Sequence, residues 1–301
     1  MRDYIIRIQI YTNKMSLINC KSKPVIINLN IGDQLTTISC GHVVVELIKF
    51  LVYQRLQIPY TYQWLKQIVT KKKIQDHDER KESFQSERHF RIASAALDNL
   101  DFILKSLLQE IGAAIPEEVC IALGGTPVSF KEVYRLIMPS ACHKPQCHSA
   151  NIANDHKIQR NIFRTLVTSE ILSQVFFSAL PPTNMFVFLK KKNIDNMDVL
   201  NTDNFIFTSG CRIPKTAKIV VMDFRNKNQN NILCCNNFPI FGDVISKNLQ
   251  TLQIDDNEEN EDYNEIESTD DIQWYQSSYV MKGFKDCIVN GASVTNSWLN
   301  S

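Results

Sequence analysis

VVVELIKFLVYQRLQIPY, residues 43–60, is the most informative helical pattern in the chain. Its apolar residues recur at intervals of three and four, which predicts an amphipathic helix over residues 40–57 with a wide buried stripe. Pro59 ends this helix, because the residue before a proline avoids the α conformation. The last turn nevertheless carries the polar side chains of Gln54 and Arg55 at the rim of the stripe. The apolar part belongs in a core, and the polar end needs another explanation.

Two more long helices and several strands surround this helix in the sequence. Periodic apolar residues predict helices over 88–111 and 155–180, which Gly112 and Pro181 respectively terminate. A shorter helical pattern covers residues 60–69. These helices do not alternate regularly with strands, and most strands fall in the C-terminal half, so the predicted fold class is α+β. The strand patterns lie at 23–30, 117–125, 184–191, 216–224 and 271–284.

The composition is that of a globular protein. Apolar residues make up 44% and charged residues 22% of the 301 residues, enough for a sizeable core. No apolar run approaches the roughly 20 residues that span a bilayer, and the N-terminus MRDYIIRIQIYT is too short and charged for a signal peptide. The nine cysteines are irregularly spaced, which is typical of free thiols in a reducing compartment. We therefore expect an intracellular protein without a membrane partner.

The charge distribution is uneven although the net charge is only +1. Residues 255–271, DDNEENEDYNEIESTDD, hold ten carboxylates and few apolar residues. Such a block repels itself and buries little surface, which predicts a disordered acidic insertion over about 225–271. A neutral chain with one acidic loop lacks the basic face that nucleic-acid binding requires. We therefore expect no nucleic-acid partner.

The residues give weak support for an enzyme. ACHKPQCH, residues 141–148, places two cysteines and two histidines between Cys142 and His148, and zinc prefers such ligands. Their adjacency strains a single tetrahedral site, and no second ligand pair follows at the usual distance. LGGTP, residues 123–127, lacks the Lys-Ser/Thr ending of a phosphate-binding loop and is better explained as a tight turn. We expect no catalytic residues, no metal and no cofactor.

Four segments together resemble a known family. They are ELIKFLVYQRLQIPYTYQWLKQ (46–67), VCIALGGTPVSFKEVYRL (119–136), FRTL (163–166) and WYQSSYVMKGFKD (274–286). The elements Tyr-Gln-Arg-x-Gln-x-Pro, Leu-Gly-Gly followed by Ser-x-Lys-Glu-x-Tyr, and Lys-Gly-Phe-Lys within them are specific in combination. In these segments the chain resembles the comet proteins, adaptors that bind the checkpoint protein mitotic arrest deficient two (Mad-two, or Mad2).

The resemblance implies a HORMA-like fold. In that fold three long helices pack on a mixed, mainly antiparallel sheet that ends in a C-terminal safety-belt segment, here WYQSSYVMKGF closed on the chain itself. The domain would cover residues 23–290, between an N-terminal tail (1–22) and a C-terminal tail (291–301). Residues 71–88 would be a flexible linker inside it, and the acidic insertion would be a second irregular segment.

The resemblance also implies a non-enzymatic function. The family binds the closed conformer of Mad-two, silences the spindle assembly checkpoint and presents its partner to a AAA+ remodelling ATPase. Its partner-contact glutamine and phenylalanine fall on Gln54 and Phe163, with Arg55 and Arg164 as neighbouring contacts. The implied location is the nucleus and cytoplasm, with the spindle or kinetochore in mitosis.

Two other functions remain as alternatives. Another HORMA-type protein would capture a peptide strand under its belt, in the place of residues 274–284. A zinc-dependent enzyme would use the cluster from Cys142 to His148. The chain also departs from the family near Phe207 and Thr208, where a Pro-Lys pair that helps meet the ATPase has no match.

Overall fold

The fold is known for the parts of the chain that a computed structural model describes: 24–29, 36–75, 83–139, 155–192, 200, 203–225 and 272–300. Three predicted features fall outside these residues. They are the N-terminal tail 1–22, the acidic insertion beyond Arg225, and the segment from Cys142 to His148.

A sheet of eight strands forms the centre of the described structure. The strand order is β1-β6-β3-β2-β4-β7-β5, and β8 pairs with β4 beside β7. Only the pairs β1/β6 and β6/β3 are parallel within this sheet, which confirms a mixed, mainly antiparallel arrangement. The strands are β1 Val25–Asn28, β2 Glu118–Gly124, β3 Phe130–Ile137, β4 Asn184–Lys192, β5 Phe205–Thr208, β6 Lys218–Asp223, β7 Ile272–Ser277 and β8 Met281–Lys282.

Six helices and a small hairpin complete the described elements. The side chains of Thr36 and Ser83 cap the two longest helices by accepting hydrogen bonds from backbone N–H groups in their first turns. The helices are α1 Thr37–Gln54, α2 Tyr62–Gln75, α3 Phe84–Ala113, α4 Asp155–Thr168, α5 Glu170–Phe177 and α6 Thr295–Asn300. The hairpin pairs β9 Ile288–Val289 with β10 Ala292–Ser293. No helix in the described ranges is long and apolar enough to cross a membrane.

The two faces of the sheet carry different cores. In β2, Val119 and Ile121 join the large cluster that contains the helices, whereas Cys120 and Ala122 join a smaller cluster on the opposite face. Both faces are covered, which explains why every residue of β2 is buried and why the residues after Glu118 form a continuous apolar run instead of alternating. We call these the helix face and the back face. Cys211, in the chain between β5 and β6, packs on the back face.

The structure corrects three predicted boundaries. Residues 71–75 and 84–88 of the predicted linker are helical, because α2 continues to Gln75 and α3 begins at Phe84. The helix predicted over 155–180 is broken at Ser169, whose side chain accepts a hydrogen bond from the Leu172 N–H and so starts a new helix. Strand β3 lies in a segment for which no strand was predicted.

The C-terminal residues are not a tail. They form the second strand of the hairpin and helix α6, and the ring of Trp298 is completely buried. Its indole N–H donates a hydrogen bond to Oγ of Ser86, 2.9 Å away in α3. Burial of a tryptophan is one of the largest single contributions to a core. The predicted end of the domain at residue 290 is therefore wrong, and the folded domain extends at least to Trp298.

Candidate protein-binding site

Helix α1 ends in a tight turn that a leucine occupies in place of the usual glycine. The N–H of Gln57 donates a hydrogen bond to the carbonyl oxygen of Val52 at 2.9 Å. The N–H of Leu56 donates one to the carbonyl oxygen of Tyr53 at 3.0 Å. This pair of bonds defines a Schellman motif, which needs a left-handed residue after the C-cap. Leu56 takes that conformation, with φ of 53°, and its side chain is 64% exposed. A strained, exposed leucine therefore follows directly on Arg55.

Arg55 points inward and forms a two-pronged ion pair. Its Nε donates to Oε2 of Glu132 at 2.8 Å, and its Nη2 donates to Oε1 at 2.7 Å. The Arg55 side chain is only 2% exposed. Charged side chains are buried in this way only when they are paired and hydrogen-bonded, and the fork of arginine matches a carboxylate well. The pair ties the end of α1 to strand β3.

The same guanidinium also holds the end of α5. Nη1 of Arg55 donates to the carbonyl of Phe176 at 3.0 Å, and Nη2 donates to that of Ser178 at 2.8 Å. Phe177 lies between these two carbonyls, and its ring is 86% exposed. Arg55 thus anchors the backbone on both sides of a projecting aromatic residue.

Glu132 has a second partner within β3. The hydroxyl of Tyr134 donates to Oε2 of Glu132 at 2.9 Å, so both carboxylate oxygens are bonded. Burial, together with the neighbouring Glu132 charge, raises the pKa of Tyr134 well above its ordinary value. The phenol therefore stays protonated and keeps donating. Both residues belong to the Ser-x-Lys-Glu-x-Tyr motif, but their pairing with α1 was not foreseen.

Gln57 links the same turn to the C-terminal segment. Its side-chain amide donates to the carbonyl of Arg55 at 2.7 Å, and its side-chain oxygen accepts from the N–H of Thr183 at 2.8 Å. Its backbone carbonyl accepts from the N–H of Phe284 at 2.9 Å. Gly283 comes so close that a Cβ there would lie 2.7 Å from the carbonyl oxygen of Thr183. Lys-Gly-Phe requires glycine because two backbones meet at this point.

A second polar cluster fastens the C-terminal segment to α3 and to the chain between α1 and α2. The hydroxyl of Tyr60 donates to Asp286, which also accepts from Oγ of Ser293 at 2.8 Å. Burial is the main reason why the pKa of Tyr60 rises to about 12. His89 is buried with its Nε2 3.7 Å from Asp286, and burial lowers its pKa despite that carboxylate. The imidazole is therefore neutral at pH 7 and acts as a packing group.

Gln54 and Phe163 lie on adjoining helices. Gln54 is exposed in the last turn of α1, and Phe163 is half-buried in α4. The ring of Phe163 meets that of Phe50 edge to face, with centroids 5.6 Å apart. Phe50 and Gln54 are one turn apart on the same side of α1. Phe50 therefore connects the two predicted contact residues, because it touches Phe163 and lies one turn before Gln54.

The two predicted neighbouring contacts have different environments. Arg164 is exposed in α4, next to Phe163, so its side chain is accessible to a partner. Arg55 is not accessible, since its guanidinium is buried and bonded to Glu132, Phe176 and Ser178. The prediction that Arg55 contacts a partner directly is therefore replaced by an internal role. It positions the residues around it.

The described residues offer no support for the two alternative functions. Strands β7 and β8 of the chain itself pair with β4, which fills the place where a captured peptide would bind. Within the described ranges, no group of three or more His, Cys, Asp or Glu side chains could hold a metal ion. The predicted zinc ligands from Cys142 to His148 lie outside those ranges.

Comparisons with known proteins agree with the resemblance in the sequence. A family profile described as "p31comet: Mad1 and Cdc20-bound-Mad2 binding" matches residues 19–192. The MAD2L1-binding protein of Mus musculus is 33% identical over 98 residues, which cover 32% of this chain and 36% of that protein. The MAD2L1-binding protein of Homo sapiens is 28% identical over 138 residues, or 45% of this chain and 49% of that protein. The chain thus spans less than half the length of these relatives.

The profile covers more than half of the 301 residues and includes the whole of the turn after α1. The α+β fold with its mixed sheet is the one expected for a HORMA-like domain of this kind. The family consists of binding proteins, which confirms the expectation of a non-enzymatic chain. This chain belongs to the p31comet family.

Proposed function

We propose that this chain is a checkpoint-silencing adaptor that binds the closed, Cdc20-bound conformer of Mad2. The surface around Gln54 and Phe163 would make the contact. The observation that supports the proposal is that Phe163 packs edge to face on Phe50, which lies one turn before Gln54 on the same side of α1. The family description supplies the partner.

The chemistry of this surface suits protein recognition. Phe163 and Phe177 offer aromatic area, Leu56 adds an apolar contact, and Gln54 supplies an amide that fixes register. Interfaces of this kind derive most of their affinity from a few large side chains surrounded by polar groups. The Arg55–Glu132 pair holds the backbone of the surface before the partner arrives, which lowers the ordering cost of binding.

We further propose that the bound Mad2 is presented to a AAA+ remodelling ATPase that opens it. The chain itself would contribute binding and orientation, and the ATP chemistry would belong to that enzyme. Binding of Mad1, which the family description also names, would be a second interaction. The chain would act in the nucleus and cytoplasm, and at the spindle or kinetochore during mitosis.

The test is capture of conformer-locked Mad2 by the full chain. We expect wild-type protein to retain closed Mad2 and not open Mad2. The double variant Gln54→Ala/Phe163→Ala should lose at least about thirtyfold in affinity, because truncating one hot-spot residue costs about 2 kcal/mol or more. The measurement is a binding titration with both conformers.

A matched control lies on α3. Gln109 is exposed there, and Phe102 is 46% exposed while stacking on Tyr279 with centroids 4.7 Å apart. Gln109→Ala/Phe102→Ala therefore removes the same atoms from an equivalent setting and should leave capture unchanged. Equal loss in both double variants would show that the effect is not specific to the proposed surface. Undiminished capture by Gln54→Ala/Phe163→Ala would reject the site.

A further inference from the structure

Two thiols meet on the back face of the sheet, away from the helices. Cys120 lies in the central strand β2 and is completely buried, with its side chain in the back-face cluster. Cys211 is half-buried in the chain that joins β5 to β6. The two sulfur atoms are 3.5 Å apart, although 91 residues separate them in sequence.

The segment that carries Cys211, which we call the back strap (residues 209–217), is held against the sheet on both sides of that cysteine. Gly210 has φ of +106°, and a Cβ on it would lie 3.3 Å from the ring of Trp274 in β7. After Cys211, Ile213 packs on the back-face cluster, and Ala217 is buried in it. Both flanks therefore position the Cys211 sulfur over β2.

We propose that Cys120 and Cys211 form a reversible disulfide that fastens the back strap to strand β2. A disulfide has an S–S distance of 2.03–2.05 Å, so the sulfurs must approach by about 1.5 Å. Each thiol already lies in the direction of the other. The inference is independent of the proposed function.

The oxidant is a small disulfide of the glutathione class, and the reaction consists of two exchanges. In the first, the Cys211 thiolate attacks one sulfur of glutathione disulfide, forming a mixed disulfide and releasing one glutathione thiolate. In the second, the Cys120 thiolate attacks the Cys211 sulfur and expels the other glutathione. The protein loses two protons and two electrons, and one glutathione disulfide becomes two glutathione thiols.

The order of the two exchanges follows from exposure. Cys211 is half-exposed and can meet a tripeptide, whereas Cys120 is covered by the strap and can react only with its neighbour. The hydrogen bond to the Cys211 thiol and burial both raise the pKa of Cys120. Because the thiolate is the reacting form, closure of the disulfide should accelerate as the pH rises.

The disulfide would cross-link β2 to the strap and so limit local opening of the back face. Arg212 and Lys215 are exposed in the strap and are sites for trypsin. Cleavage there requires the strap to leave the sheet, and a cross-link opposes that movement. Oxidised protein should therefore be cut in the strap several-fold more slowly than reduced protein.

The experiment uses the full chain in glutathione buffers of increasing oxidised fraction. Samples are acid-quenched, alkylated and mapped by mass spectrometry without reduction. We expect a linked peptide pair containing Cys120 and Cys211, lighter by two hydrogen atoms than the separate thiols. In Cys120→Ala the Cys211 thiol should remain as a stable mixed disulfide with glutathione. In Cys211→Ser neither product should form at Cys120.

Cys40 and Cys287 provide controls, since both are free thiols in other parts of the fold. Cys40→Ala and Cys287→Ser should leave the linked peptide unchanged. Circular dichroism checks that each variant folds, and the mapping of wild-type protein needs no variant. Linkage of Cys120 or Cys211 to a different cysteine would overturn the proposal. So would a linked pair that forms only after denaturation, or strap cleavage equally fast in oxidised and reduced protein.

Discussion

The turn at the end of α1 has an inner and an outer side, which differ in burial and in hydrogen bonding. The inner side, with Arg55 and Gln57, is buried and bonded to β3, α5 and the C-terminal segment. The outer side, with Gln54 and Leu56, is exposed. Consecutive residues alternate between the sides, so one short segment serves as both an internal link and a surface.

The difference separates two kinds of mutational effect. A residue on the inner side is matched to fixed partners, so its loss leaves a buried group unsatisfied and destabilises the whole domain. A residue on the outer side is exposed, so its loss should change binding more than stability. The three changes that follow test this division, in order of decreasing effect on the free energy of unfolding.

Glu132→Gln should have the largest effect. The amide keeps the shape of the carboxylate but leaves the buried guanidinium of Arg55 without a counter-charge. Breaking a buried ion pair from one side costs about 3–5 kcal/mol. Urea-induced unfolding should show this loss. Capture of Mad2 by the folded fraction should also weaken, because the pair no longer holds the backbone of the binding surface.

The matched control is Glu87→Gln in α3. Glu87 pairs with Arg91, but both side chains are largely exposed, at 54% and 76%. Exposed pairs contribute about 0–1 kcal/mol, so this substitution should barely move the unfolding midpoint. Equal midpoints for the two variants would mean that the Arg55–Glu132 pair is not an internal link.

Gly283→Ala should have the next largest effect. Its methyl group would lie 2.7 Å from the Thr183 carbonyl oxygen and 3.0 Å from that of Gln57. Both are backbone atoms, so the chain segments that meet here must move apart. Overpacking of this type costs about 1–3 kcal/mol. Gly112→Ala is the control, because nothing lies within 4 Å of its Cβ position near the end of α3. That substitution should stabilise the helix by about 0.5–1 kcal/mol.

Thermal or urea unfolding compares the two glycine variants. Destabilisation by Gly283→Ala with stabilisation by Gly112→Ala would support the close approach of the C-terminal segment to the α1 turn. A neutral Gly283→Ala would show that this segment can move away from Gln57 at no cost.

Local sequence patterns predicted most helices and strands. Features that depend on pairing between distant residues could not be predicted in this way. The apolar stripe of α1 and the apolar run of β2 were predictable, because each is a property of neighbouring residues. Strand β3 was missed because Glu132 faces the core, where a charge breaks the usual alternation. Only its partner Arg55, 77 residues away, explains that position.

The residues of the candidate site divide in the same way into predictable and unpredictable ones. The family resemblance identified Gln54 and Phe163, and the structure packs Phe163 against Phe50, one turn before Gln54. Leu56 and Phe177 carried no signal. A leucine gives no sequence sign of a left-handed helix end, where glycine is usual, and the backbone on both sides of Phe177 is held by the distant Arg55. A buried Trp298 near the chain end could have warned against a tail, because tryptophan is costly to expose.

Leu56→Gly should have the smallest effect on stability and should change stability and binding in opposite directions. Leucine at φ of 53° is strained by about 1–2 kcal/mol, and glycine relieves this strain but gains entropy in the unfolded chain. The net result should be a stabilisation of no more than about 1 kcal/mol. Capture of closed Mad2 should weaken, because the exposed side chain is gone.

Leu56→Ala separates the loss of contact surface from the relief of backbone strain. It removes the same contact surface but keeps a side chain in the left-handed conformation, so capture should weaken without any gain in stability. Unfolding curves and binding titrations on both variants therefore locate Leu56 on one side of the turn. If both variants destabilise the domain, the leucine supports the fold and belongs to the inner side. If neither weakens capture, the outer surface ends at Gln54, and the strain at Leu56 serves only the geometry that Arg55 and Gln57 need.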